Sequence, residues 1–283
     1  TALTYLEQSL AIRRAIGDRA GEGTTLNNIS QIYKARGDYD TALTYLEQSL
    51  AIRRAIGDRA GEGTTLNNIS QIYKARGDYD TALTTLEQAL AIQRAIGDRA
   101  GEAATLNNMA TIAQARGDLA TALTYLKQSL TISQSVLGPE HPATALSLNN
   151  LGALLQDLGD LAGARAYYER ALAIVERVLG PEHPYTASSL NNLGSLLQAM
   201  GDLAGARPYF ERALAIRERV LGPEHPDTAT SLNNLGYLLQ AMGDLAGARP
   251  YYERALAILT AKLGPDHPNT RRVRDNLAAL PGT

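Results

Sequence analysis

The stretch SLNNLGSLLQAMGDLAGARPYFERALAI, residues 189–216, contains two apolar helical patterns separated by a turn. In the first pattern Leu190 and Leu197 lie two helical turns apart on one apolar stripe. Gly201 suits the left-handed end of that helix, and Asp202 can cap the helix that follows. The stretch therefore predicts an antiparallel pair of helices.

The same hairpin pattern recurs along the whole chain. Residues 1–40 and 41–80 are identical, and residues 81–120 follow the same 40-residue plan. From Thr121 the period becomes 42 residues, because the link LGPEHP, or LGPDHP, replaces IGDRAGE. One hairpin cannot bury its apolar face alone, whereas stacked neighbours can. The repeats therefore predict an all-α solenoid of stacked antiparallel helix hairpins.

The repeat boundaries predict fourteen helices: one unpaired helix, six pairs and a final unpaired helix. We expect a single array over residues 1–283, with 40-residue repeats in 1–120, 42-residue repeats in 121–262 and a terminal capping helix in 263–283. Small residues are expected where paired helices cross, at Ser30, Ser70, Ala110, Gly152, Gly194 and Gly236. The chain begins without methionine and both ends fall inside a repeat, so we expect a piece of a longer protein.

The composition argues against several classes of function. The net charge is −2 and the pI is near 6.1, which disfavours nucleic acid or an anionic membrane as partner. The chain has no cysteine, and no run approaches the ~18 apolar residues of a membrane span. A cytoplasmic protein is expected. Because no phosphate loop, nucleophile–base pair or set of converging ligands is visible, we expect no enzyme activity, no cofactor and no metal.

Over essentially its whole length the chain resembles the tetratricopeptide repeat family, on the spacing of Leu190, Gly194, Leu197, Gly201, Asp202, Ala206, Tyr209 and Ala213. The 42-residue repeats, with LNNLG and LGPEHP, resemble the kinesin-light-chain type. The 40-residue repeats resemble those of cell-polarity adaptors and bacterial regulatory proteins, and the duplication of residues 1–80 resembles the expandable arrays of large bacterial proteins.

This resemblance implies a right-handed superhelix that binds extended or helical peptide segments of partner proteins in its concave groove, without catalysis. The first helix of each hairpin would line that groove. The implied role is a protein-interaction scaffold, as the sensing or recruiting arm of a larger regulatory protein.

Adjacent asparagines recur in the first helix of each hairpin, although asparagine is a mediocre helix former. At 100° per residue, Ser188, Asn191, Ser195 and Gln198 share a polar flank away from the core, with Asn192 at its edge. Side-chain amides can bond both the N–H and C=O groups of a peptide. The predicted groove residues are Asn27, Asn28, Gln31, Lys34, Asn67, Asn68, Gln71, Lys74, Asn107, Asn108, Gln114, Asn149, Asn150, Gln156, Asn191, Asn192, Ser195, Gln198, Asn233, Asn234, Tyr237 and Gln240.

Two interpretations of the asparagines stay open, since the amides could bind a partner or bond adjacent repeats to each other. Lys34 and Lys74 stand where later repeats carry glutamine, so partner segments are expected to present acidic groups there. Tyr237 falls on the predicted groove flank and is a candidate anchor. An alternative function is self-association through the exposed apolar ends of the solenoid.

Other recurring residues are expected to be structural. His141, His183, His225 and His267 stand one per repeat, which favours capping of the following helix over metal binding. One ring of each pair Tyr167-Tyr168, Tyr209-Phe210 and Tyr251-Tyr252 is expected in the core. The pairs Arg13-Arg14 and Arg53-Arg54 are expected to be solvated on the outer surface.

Overall fold

The computed structural model describes residues 2–281, which form fourteen helices. We call the even-numbered helices first-type, since all but the last carry the asparagine pair, and the odd-numbered helices second-type. The helices are α1 (Ala2–Ala15), α2 (Arg19–Ala35), α3 (Tyr39–Ala55), α4 (Arg59–Ala75), α5 (Tyr79–Ile96), α6 (Arg99–Ala115), α7 (Leu119–Val136), α8 (Pro142–Asp157), α9 (Leu161–Leu179), α10 (Pro184–Ala199), α11 (Leu203–Val220), α12 (Pro226–Ala241), α13 (Leu245–Leu263) and α14 (Pro268–Ala278).

The chain divides into two compact units, residues 1–138 and residues 139–283. The boundary falls in the link at which the period changes from 40 to 42 residues. Within each unit, a helix packs mainly on the helices before and after it in sequence. Both units are therefore stacks of helix hairpins. No helix within residues 2–281 combines the length and the hydropathy needed to cross a bilayer.

The helix ends follow the predicted capping chemistry. Gly201 has a φ of +83°, and the Asp202 carboxylate accepts a hydrogen bond from the Gly205 N–H at 2.8 Å. In the second unit, imidazoles cap the first-type helices: Nδ1 of His183 accepts from the Tyr185 N–H at 3.1 Å. His141, His225 and His267 make the same bond at 3.1, 3.1 and 3.2 Å. The predicted capping role of the histidines is confirmed.

The core of each hairpin in the second unit pairs a glycine with an aromatic ring. A Cβ atom built on Gly152 would lie 2.8 Å from Cδ1 of Tyr168, too close for an unperturbed ring. Gly194 faces Phe210 and Gly236 faces Tyr252 in the same way. Tyr168, Phe210 and Tyr252 are buried, as predicted for one ring of each pair. Small residues are thus required at these crossings because the ring occupies the space.

The first unit contains three buried glutamates paired with arginines, which the repeat pattern does not predict. The Glu62 carboxylate is buried, and it accepts from Nε of Arg54 at 2.9 Å and from Nη1 of Arg59. Glu22 and Glu102 make the same pairs in their repeats.

The expectation of solvated arginines was wrong for Arg53, whose side chain is only 12% exposed and donates to Asp58 and to Oγ1 of Thr24. Arg14 and Arg54 are exposed as expected, at 52% and 53%, although each also pairs with a glutamate. Their partner lies eight residues ahead in the next helix, so the contact depends on how two helices pack.

Candidate binding face and its asparagine ladder

The asparagine pairs form a hydrogen-bonded ladder between successive repeats. The second asparagine of one repeat donates its amide N–H to the side-chain oxygen of the first asparagine in the preceding repeat. The bonds are Asn68 to Asn27 at 3.1 Å, Asn108 to Asn67 at 2.9 Å, Asn192 to Asn149 at 3.3 Å, Asn234 to Asn191 at 3.4 Å and Asn276 to Asn233 at 2.9 Å. The interpretation that these amides bond adjacent repeats is therefore realised in the structure.

In three repeats the first asparagine of the pair is also bonded to the repeat that follows. Asn191 donates to Oγ of Ser231 at 3.2 Å, and equivalent bonds join Asn149 to Ser189 at 3.0 Å and Asn67 to Thr105 at 2.8 Å. Asn107, Asn191 and Asn233 are only 6% exposed. The helical spacing alone predicts Asn191 on an open polar flank. The structure buries it, because the next repeat covers that flank.

A cavity of about 570 Å³ brings five predicted groove residues together in the second unit. We call it the Tyr237 cavity, because Tyr237 is 54% exposed beside it. The predicted residues at its wall are Ser195, Gln198, Asn233, Asn234 and Tyr237. Arg272 and Asn276 of α14 also line it. The sequence predicts only a capping role for α14, so these two residues are not among the predicted groove residues.

Phenylalanine replaces tyrosine at one core position beside this cavity, and the neighbouring glutamine loses a hydrogen-bond partner. The hydroxyl of Tyr252 donates to Oε1 of Gln240 at 2.8 Å, and that of Tyr168 lies 3.5 Å from Oε1 of Gln156. Phe210 is the one phenylalanine of the chain and has no hydroxyl. Gln198 and the Phe210 ring both line the Tyr237 cavity. The amide of Gln198 is thus held by no tyrosine hydroxyl from this position.

A second cavity, of about 330 Å³, lies between α8 and α10. Leu146 and Tyr185 line it and are 55% and 62% exposed, so we call it the Leu146–Tyr185 cavity. The predicted residues Asn149, Asn150 and Asn192 also line it. The two apolar residues were missed, because each occurs in only one repeat and leaves no periodic signal.

The two predicted lysines of the first unit are half-buried. Burial lowers the pKa of Lys34, and burial together with the charge of Lys34 lowers the pKa of Lys74. Nζ of Lys74 donates to Oγ1 of Thr111 at 2.9 Å. Within residues 2–281 neither ammonium group has a carboxylate within 4.0 Å. Of the other residues predicted in this unit, Asn28 and Gln31 are exposed, whereas Gln71 and Gln114 are half-buried.

The repeated hairpins and the ladder between them define an α-solenoid. The tetratricopeptide repeat family matches residues 1–55, 24–95, 101–171, 146–217, 188–261 and 232–280. The chain belongs to the tetratricopeptide repeat family. Proteins of this family generally act as protein-interaction scaffolds and are typically not enzymes.

Solved structures share this fold. BtubC (BKLC) from P. vanneervenii is 24% identical, with a TM-score of 0.67 over 81% of this chain and 94% of that one. The putative kinesin light chain repeats of Podosopora anserina are 28% identical, with a TM-score of 0.56 over 70% and 95%. The Cut9–Hcn1 tetramer of APC/C aligns at 15% identity, with a TM-score of 0.68 over 99% and 46%. Comparison with curated protein sequences gives no match.

Proposed function

We propose that the chain is a scaffold that binds peptide segments of partner proteins along the face formed by its first-type helices. The main support is that the Tyr237 cavity gathers Ser195, Gln198, Asn234 and Tyr237, which were selected from the sequence alone. A cavity of about 570 Å³ is within the range of ligand-binding clefts. Amide groups at its wall suit the backbone of a peptide, and Tyr237 supplies an apolar contact.

In the first unit the same face selects acidic segments. Lys34 and Lys74 are half-buried cations close enough to lower the pKa of one of them. A carboxylate from a partner would pair with either ammonium group and offset its charge. The partner is therefore a protein segment that carries acidic side chains towards this unit, as part of a larger regulatory assembly.

Selection of 12-residue peptides displayed on phage against the whole chain tests the proposal. The selected peptides should bind the wild type, and Gln198→Ala combined with Tyr237→Ala should weaken that binding at least tenfold. Glu253→Ala is the matched control, because Glu253 is exposed on a second-type helix. No enrichment of peptides, or equal loss in the control, would contradict the proposal.

Self-association is the second candidate function. Tyr5, Ile12 and Ile16, in or directly after α1, are 74%, 61% and 71% exposed. An apolar patch of this kind is typical of contact surfaces. Light scattering should show a mass that rises with concentration if copies associate there, and Tyr5→Ser combined with Ile12→Ser should abolish the rise. A constant monomer mass would exclude this function.

A further inference from the structure

Successive repeat interfaces of the second unit differ in one buried side chain. Between α10 and α12, Arg217 is 8% exposed and fills the space between the helices. Its guanidinium donates to the Asp227 carbonyl oxygen at 2.9 Å, to Oγ of Ser231 at 3.0 Å and to Oγ of Ser188 at 3.3 Å. This interface therefore contains a long side chain held by polar acceptors.

The preceding interface, between α8 and α10, lacks that side chain. At the positions 42 residues earlier, Val175 replaces Arg217, Leu146 replaces Ser188 and Tyr185 replaces Asp227. Val175 is too short to reach across the interface, and the Leu146–Tyr185 cavity opens at this place with all three residues at its wall. Three substitutions thus convert a filled polar space into an open apolar one.

We propose that the Leu146–Tyr185 cavity binds one uncharged apolar side chain, aromatic or long aliphatic, of the partner segment. This inference rests on the proposed function and specifies the partner residue at one site. The side chain would enter where Arg217 lies in the next interface and would contact Val175, Leu146 and Tyr185. The amides of Asn150 and Asn192 line the same cavity and suit the adjacent peptide backbone.

The absence of charged side chains at the cavity wall indicates which chemical group it can bind. None of the side chains that line it is charged, so a buried cation or anion would lose hydration without a counter-ion. Leu146 replaces Ser188, one of the three acceptors that hold Arg217, so a guanidinium from a partner would gain at most two of those bonds for the hydration it loses. A neutral apolar group instead covers two exposed hydrophobic side chains.

The exposed hydrophobic residues give independent support. Within the described first-type helices, the large hydrophobic side chains that are exposed are Leu146, Tyr185 and Tyr237. Tyr237 belongs to the other cavity, and the remaining two both line this one. Large apolar side chains beside a cavity are typical of binding sites.

The test uses the whole chain and three small probes: N-acetyl-tryptophanamide, N-acetyl-leucinamide and N-acetyl-argininamide. Binding is followed by NMR, through the methyl signals of Leu146 and Val175. We expect the tryptophan and leucine probes to shift these signals and the arginine probe to leave them unchanged. Val175→Arg, which restores the side chain seen at position 217, should fill the cavity and abolish binding.

Leu146→Ser and Tyr185→Asp provide variants whose folding is not in question, since both residues are exposed and the new side chains are those of the next repeat. Each should weaken tryptophan-probe binding about tenfold, as expected for losing a buried apolar contact. For these variants the ring signals of Tyr185 and the methyls of Val175 report binding. Val178→Ser is the matched control, because Val178 is an exposed hydrophobic residue of the second-type helix α9 that does not line the cavity, and its affinity for the probe should equal that of the wild type.

Two results would overturn the inference: no shift with the tryptophan probe, or equal affinity in the wild type, Leu146→Ser and Tyr185→Asp. A peptide that loses affinity in Gln198→Ala with Tyr237→Ala, but not in Leu146→Ser or Tyr185→Asp, would refute this site and leave the proposed function standing. Failure to select any peptide would refute the proposed function. The amide probes would still show whether the Leu146–Tyr185 cavity binds an apolar side chain.

Discussion

The side chain of Asn276 donates a hydrogen bond to the side-chain oxygen of Asn233 at 2.9 Å, across one repeat. Asn233 is buried and Asn276 is half-buried, and Asn276 also lines the Tyr237 cavity. The two asparagine positions therefore differ in role. The first is buried between repeats, and the second is half-buried at the wall of the Tyr237 cavity, which the first also lines.

The first asparagine should be the more important for stability. Asn191 donates to the Ala187 carbonyl and to Ser231, and it accepts from Asn234. Asn191→Ala removes all three bonds and should lower the free energy of unfolding by about 1–3 kcal/mol in urea titrations. Asn192→Ala removes one bond to Asn149 and should cost less than ~1 kcal/mol. Equal losses in the two variants would contradict this division.

Periodic features were predictable from the sequence, and single-repeat features were not. The spacing of Leu190 and Leu197 predicts the helix because buried residues must recur on one face. The orientation of Asn191 needs the neighbouring repeat, since the same residue is exposed on an isolated helix and buried in a stack. Leu146 and Val175 lie 29 positions apart in the sequence. They form one cavity only because α8, α9 and α10 pack together.

The buried glutamates should stabilise the first unit. Glu62→Gln removes the charge that Arg54 and Arg59 share, and it should lower the free energy of unfolding by about 1–2 kcal/mol in urea. Glu47→Gln is the control, because Glu47 is exposed on α3. A loss in the control as large as that in Glu62→Gln would show that the ion pair contributes nothing specific.

The histidine caps predict which substitutions α10 tolerates. His183→Ala removes the acceptor of the Tyr185 N–H and should destabilise the first turn by about 1 kcal/mol. His183→Asn places another good capping group there and should restore most of that loss. Because repeat arrays open locally, hydrogen exchange of the Tyr185 and Thr186 amides is the suitable measurement. Unchanged exchange in His183→Ala would refute the capping role.

The contact between Gly152 and Tyr168 predicts a coupled pair of substitutions. Alanine normally favours a helix over glycine by about 1 kcal/mol. Here Gly152→Ala should destabilise by about 1–3 kcal/mol, because its Cβ would meet the Tyr168 ring. In the background of Tyr168→Leu, the residue type at Leu126, the same change should be nearly neutral or favourable. A double-mutant cycle in urea that shows simple additivity would contradict the steric explanation.

The charge of Lys74 is predicted to lower the stability of the folded chain while it contributes to partner binding. Its pKa is lowered from 10.5 by burial and by Lys34, so the folded chain holds this proton less tightly than the unfolded chain. The free energy of unfolding should therefore rise as pH increases through the folded-state pKa towards 10.5. Lys74→Gln, the residue type at Gln114, should be more stable at pH 7 and lack this rise. Urea titrations of both chains between pH 7 and pH 10.5 measure the difference.

The same lysines should set the salt dependence of partner binding. Lys34→Glu combined with Lys74→Glu reverses two charges on the proposed binding face. An acidic peptide selected on the wild type should therefore bind at least tenfold more weakly, with a flatter dependence of affinity on salt. Lys127→Glu is the matched control, since Lys127 is exposed on the second-type helix α7. Fluorescence anisotropy measures the affinity of the peptide for the two variants. The salt concentration is varied between roughly 50 and 500 mM, the range over which screening changes most. An affinity that is unchanged in the double variant would mean that the acidic partner binds elsewhere.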